Sequence, residues 1–230
     1  VIAPSPGELA RHPDLGAGRA PGGELVELTP VLRRAIALDP AGLVRLRIRP
    51  TSATTLVRLP FGVLAGRRIS GSYAQPLDAT YGCAQLLAWL EGQPLAVPPE
   101  SRDLDWRSGL PPEQGWRRME TVPDDVIRGL IAAGLRTLKE VAVREGVPDG
   151  QPRAEVTDTL LDSIVLTVEQ GPDRVEISLR LLSALTRMAF LARGSHLAID
   201  LAGRWLRVTA SYGSVYAERP GLGLGILSVR

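Results

Sequence analysis

The sequence predicts an α+β protein, mainly antiparallel sheet built from hairpins with helices packed on one face, arranged as two similar lobes. Three observations carry this. Apolar residues alternate with others at period two over 43–49, 164–179 and 197–210. Apolar residues recur at helical spacing over 124–146 and 181–193. Between the halves, Pro94, Pro98, Pro99, Pro111 and Pro112 interrupt any sustained period over 93–120. The expected organisation is an irregular segment 1–28, an N-terminal lobe 29–92, a proline-rich connection 93–120, a C-terminal lobe 121–219 and a flexible tail 220–230.

Taken in order, residues 1–28 are rich in glycine and proline and poor in large apolar side chains. Thr29-Pro30 reads as an N-cap with proline at the first helical position, opening a helix to about residue 38, before Pro40. In 43–49, Val44, Leu46 and Ile48 share one strand face, and Arg45, Arg47 and Arg49 share the other at spacings of about 6.5 Å. After the turn 50–54 the chain returns over 55–59, and 61–69 reads as a second hairpin across Ala65-Gly66. Asp78 is expected to cap a helix over 79–91 that stops at Gly92.

The C-terminal half is clearer. Thr121-Val122-Pro123-Asp124 resembles a capping box ahead of Ile127, Leu130, Ile131, Leu138 and Val141, and Gly129, Ala132, Ala133 and Gly134 thin one part of that helix. After a turn at 148–152, residues 154–162 are expected to be helical. A hairpin over 164–179 turns at Gly171-Pro172-Asp173. The helix 181–193 is so widely apolar that it should be buried at the centre of this lobe. Strands 197–201 and 206–210 turn at Ala202-Gly203, and 215–218 adds a third. Leu64-Ala65-Gly66-Arg67 recurs as Leu201-Ala202-Gly203-Arg204, and Gly71-Ser72-Tyr73-Ala74 is echoed at 213–217. A duplication would explain this, as would convergence of turn chemistry.

Composition bounds function. A chain of 230 residues can bury a sizeable core without disulfides, and its single cysteine, Cys83, fits a reducing interior. No signal-peptide pattern and no apolar run of about 20 residues occurs, so a cytoplasmic protein without membrane partners is expected. The pI near 9.0 is weak information, because one lysine, no asparagine and abundant Arg, Ala, Gly and Pro follow from a high-GC coding bias. Charge distribution says more. Residues 33–68 hold eight arginines and one acid, a balance of +7, whereas 100–176 hold sixteen acids and ten bases, a balance of −6.

No constellation of catalytic chemistry stands out. His12 and His196 are far apart, Cys83 is alone, and the carboxylate pairs Asp103/Asp105 and Asp124/Asp125 read more simply as loop and helix-start residues, so neither metal nor cofactor is expected. No nucleophile elbow marks a serine or cysteine for His196 to activate, and Gly221-Leu-Gly-Leu-Gly225 lacks the helix a phosphate loop needs. A DNA-reading role for 181–193 is opposed by its narrow polar strip.

Two surface readings remain. Arg45, Arg47 and Arg49, widened by Arg58, Arg67 and Arg68, could meet a polyanion backbone, although only Phe61 and Tyr73 supply nearby stacking rings; the plainer reading is a sheet face kept soluble or ion-paired. Trp106, Trp116, Trp205, Tyr212 and Tyr216 are candidate anchors for a protein partner or a second copy, against a plainer role in packing. The leading expectation is therefore a non-catalytic intracellular assembly module. The alternatives are a nucleic-acid or polyanion binder and an enzyme with dispersed site residues.

Overall fold

The structure is a computed structural model that describes residues 25–92, 99–144 and 154–219. Expectations for 1–24, the turn 148–152, the tail 220–230 and its glycine run lie outside the described residues. The chain forms two compact units, residues 1–60 with 66–108, and residues 61–65 with 109–230. Both are α+β, and their sheets are antiparallel.

In the first unit a 3-10 turn (Leu25–Leu28) runs into α1 (Thr29–Leu38), with Pro30 in the first turn as expected. Strands β1 (Leu43–Arg49), β2 (Ser52–Arg58) and β3 (Leu64–Ser70) follow as a meander, and β4 (Leu77–Gly82) returns beside β1, giving the order β4-β1-β2-β3. Helix α2 (Cys83–Leu90) closes the unit. Val44, Leu46 and Ile48, each 5% exposed or less, form the core with Val31, Leu32 and Ala35 of α1 and Leu86, Trp89 and Leu90 of α2.

Two expectations fail in this unit. No hairpin turns at Ala65-Gly66: both are buried inside β3, and the reversal is made by Pro60-Phe61-Gly62, where Gly62 takes φ +81°. Nor does Asp78 cap a helix. Leu77, Ala79 and Tyr81 are buried on one side of β4, which leaves Asp78 on the other, and α2 begins five residues later with Gly82 as its N-cap.

In the second unit β5 (Arg117–Pro123) occupies the end of the expected connection and most of the expected capping box, so α3 (Asp124–Arg144) starts at Asp124. Then come α4 (Ala154–Leu161), the hairpin β6 (Ile164–Gln170) and β7 (Asp173–Ser178), and α5 (Leu179–Arg187). The meander β8 (His196–Ala202), β9 (Trp205–Ala210) and β10 (Gly213–Glu218) pairs with β5 in the order β10-β9-β8-β5.

Helix α5 is the hub of this unit, touching α3, α4, β7 and β10. Leu179, Leu181, Leu182, Ala184 and Leu185 are each 1% exposed or less, which is the burial its apolar breadth predicts. The Ser178 side chain accepts from Leu181 N–H at its start, and the chain leaves at Ala189, whose φ of +54° stops the helix short of residue 193. The thin part of α3 is used once. A Cβ on Gly134 would lie 2.5 Å from Leu179 Cδ2, whereas Gly129 faces open space.

The internal repeat holds at the level of topology and not of motif. In each unit a helix precedes a three-stranded meander, and a fourth strand that leads straight into a helix lies beside the meander's first strand. The repeated tetrapeptides fall on different elements: Leu64–Arg67 lies within β3, the third strand of its meander, while Leu201–Arg204 spans the end of the first strand and its turn.

Candidate functional site

The arginine face of the first unit follows from register. Arg47 stands directly opposite Asp78, and Arg45 opposite Thr80, across the β1–β4 pairing. Arg45 Nε donates to Asp78 Oδ1 at 2.6 Å, and its second nitrogen donates to Asp103 Oδ1 at 2.6 Å and to Thr80 Oγ1 at 3.0 Å. Arg47 Nε lies 3.3 Å and Arg49 Nη2 3.5 Å from Asp78 Oδ2. One carboxylate is thus shared by three guanidiniums.

Asp103, in the 3-10 turn Asp103–Asp105, adds a second. Burial works against its ionisation, but hydrogen bonds from Ser101, the Thr80 backbone N–H and the Thr80 hydroxyl, with the Arg45 charge, hold its carboxyl below the usual range. Such a group contributes stability above its unfolded pKa that is lost as pH falls through the lowered, folded one. Asp105 is engaged by Arg102 Nε at 2.8 Å. The pair therefore serves to fix arginines.

The remaining members of the basic patch divide. Leu56 stands opposite Arg45, so Arg58 lies on the same face as the ladder, and Arg68 joins it by alternating with buried Ile69. Arg67 turns to the other face, 3.7 Å from Glu27. Arg58 and Arg68 are exposed and make no ion pair among the described residues. Among the described residues the face carries five arginines against Asp78 and Asp103, a balance of +3.

The second unit carries a related arrangement with the charges exchanged. Asp200 on β8 stands opposite Arg118 of β5 and Arg207 of β9. Its buried carboxylate accepts from Arg118 Nε at 2.6 Å and from Arg207 Nε and Nη2 at 3.0 and 2.9 Å. The Arg207 guanidinium lies 4.2 Å from the centre of the Trp116 ring, and Trp116 meets Tyr216 at 5.9 Å. Of the other aromatic anchors, Trp205 is buried, Trp106 half-buried and Tyr212 exposed. Neither Asp78 nor Asp200 was a site candidate in the sequence; each is found only once strand register is known.

The candidate reactive groups stay apart. His196 is exposed at the start of β8, on an open pocket of about 530 Å³ with Asp124, Asp125, Arg128, Arg193 and Ser195. Within it the Ser195 hydroxyl donates to Ala192 O. Arg128 Nε donates to Asp124 at 2.9 Å, and this bond, with the Arg128 charge and the N–H groups of Gly194 and Ser195, depresses the Asp124 carboxyl against the opposing effect of burial. Among the described residues no three potential metal ligands of the His, Cys, Asp and Glu types converge.

Cys83 is fully buried at the start of α2. Burial, with the nearby Asp39 charge, pushes its thiol up to about 12. Thiolate is then scarce at pH 8, so a disulfide reagent should label Cys83 in the folded protein at least about a hundredfold more slowly than in urea. Labelling at the unfolded rate would show that α2 is not seated as described.

Comparison with known proteins matches the two units separately. Residues 20–108 match a family described as Domain of unknown function (DUF8010), and residues 111–222 match Domain of unknown function (DUF8185). No curated protein matches. The fold is similar to that of a DNA polymerase sliding clamp from Pseudomonas aeruginosa, at 12% identity and a TM-score of 0.51 over 85% of this chain. A Pseudomonas aeruginosa DNA polymerase III subunit beta gives 11% and 0.53 over 84%, and a Caulobacter crescentus sliding clamp 10% and 0.52 over 84%. The chain spans 62 to 63% of the length of these structures. No described helix is long and apolar enough to cross a membrane.

Proposed function

We propose that this chain is a non-catalytic assembly module on a sliding-clamp-like scaffold, working by association with copies of itself or with another protein at DNA. The observation that carries this reading is the shared fold over 85% of the chain with proteins named DNA polymerase sliding clamps. The chemistry of the units agrees with it. The hydrogen-bonded side chains around Asp78 and Asp200 tie strands together, and a scaffold depends on rigid sheets. Light scattering across a concentration series tests the reading: a mass rising above that of one chain supports it. A strict monomer that also retains no protein partner from a cell extract overturns it.

A second reading, nucleic-acid binding, is favoured by the +3 balance of the arginine face. Its contacts would be Arg58 and Arg68, whose guanidiniums have no carboxylate among the described residues, more than Arg45, Arg47 and Arg49. The double variant Arg58→Ala/Arg68→Ala should weaken a labelled oligonucleotide about tenfold at low salt and reduce the salt slope by roughly 1.5. Equal weakening by Arg45→Ala with Arg58 and Arg68 intact would reverse the assignment.

A further inference from the structure

The segment 99–108 crosses the arginine face of the first unit and leaves a second cavity beside it. This pocket, about 190 Å³, is lined by Asp39, Gly42, Arg58, Trp106, Arg107 and Ser108 among others. Its volume is that of roughly six waters, below the few hundred Å³ of a cofactor site, and suits one polar side chain. Arg58 and Arg107 are both exposed and neither has an ion-pair partner among the described residues. The Trp106 indole N–H is buried and meets no acceptor among the described residues. That N–H is enclosed, so an acceptor entering the pocket meets the Arg58 and Arg107 guanidiniums and the Trp106 ring.

Charge selects the acceptor. Asp105, also on the lining, is compensated by Arg102, which leaves Arg58 and Arg107 against Asp39, a balance of +1. A carboxylate matches that balance, whereas a phosphate dianion would exceed it. Size and surroundings indicate the source of the carboxylate. Two residues from Trp106, Leu104 is 88% exposed, the most exposed large apolar side chain among the described residues. A bare leucine next to a socket for one acidic side chain fits the surface of a protein and not a free metabolite.

We propose that this pocket receives a Glu or Asp side chain of a protein partner, gripped between Arg58 and Arg107 against the Trp106 ring, with Leu104 packing on an apolar neighbour in the partner. The inference rests on the assembly reading and names its contact. It is tested on the full chain by following the Trp106 indole N–H signal, identified with Trp106→Phe, during titration with N-acetylglutamate methylamide. A saturable shift is expected with this probe and not with its glutamine analogue. Affinity should fall about tenfold in Arg58→Gln and in Arg107→Gln, and stay unchanged in Arg68→Gln. No shift, an equal shift with the glutamine analogue, tighter binding of inorganic phosphate, or acetate binding as tightly as the probe would each overturn it. Light scattering of the same samples separates this failure from failure of assembly, since a chain that associates while its indole signal stays still refutes only the pocket.

Discussion

Replacing Leu185 by Asp is expected to unfold the second unit at room temperature, with a loss of more than about 4 kcal/mol. Leu185 is completely buried in α5, the helix that touches α3, α4, β7 and β10. A carboxylate there meets no donor supplied by its neighbours Leu181, Leu182 and Ala184. It must either stay charged in an apolar medium or bind a proton at a cost set by pH. Thr186→Asp is the control, because Thr186 is exposed and next in sequence, and its cost should stay within about 0.5 kcal/mol. Urea unfolding followed by circular dichroism reads both. A Leu185→Asp protein with the wild-type midpoint would remove α5 from the centre of the fold.

That centre was legible because its signals are local. The broad apolar coverage of α5 and the alternation of β8, β9 and β10 specify burial whatever the partner, so residues within a few positions of each other suffice. The arginine face was only half legible. Alternation placed Arg45, Arg47 and Arg49 together, but their counter-charge sits at Asp78, more than 28 residues away in the sequence and adjacent only through the β1–β4 register. Asp78 also carries two local meanings. A carboxylate ahead of Cys83, Leu86 and Leu90 reads as a helix cap, while Leu77, Ala79 and Tyr81 around it alternate as a strand. Burial of Leu77, Ala79 and Tyr81 on one side of the sheet, with Asp78 on the other, decides for the strand. At Ala65-Gly66 the small residues that suggest a turn are instead what a buried strand interior accepts, and Gly62 makes the reversal three residues earlier.

Asp78→Asn separates these meanings and reaches function. Asn keeps the shape and one acceptor oxygen, turns the other position into an NH2 donor, and removes the charge that Arg45, Arg47 and Arg49 share. The three guanidiniums then lose the charge they share, while Arg45 keeps its bond to Asp103. Since the Asp78 side chain is about one-third exposed, the cost should be nearer 2 kcal/mol than the 3–5 of a fully buried pair. About half of it should return in 0.5 M salt, because the repulsion left behind is screened. A helix cap would instead lose little on change to Asn, which caps as well as Asp, and would show no such salt rescue. The same variant has the opposite effect on polyanion binding. Removing the Asp78 charge raises the positive balance of this face by one, so oligonucleotide affinity should rise about tenfold at low salt and the salt slope should steepen by about 1. Loss of stability without any gain in affinity would mean that the ladder only holds β1 to β4, and would leave nucleic-acid contact to other surfaces.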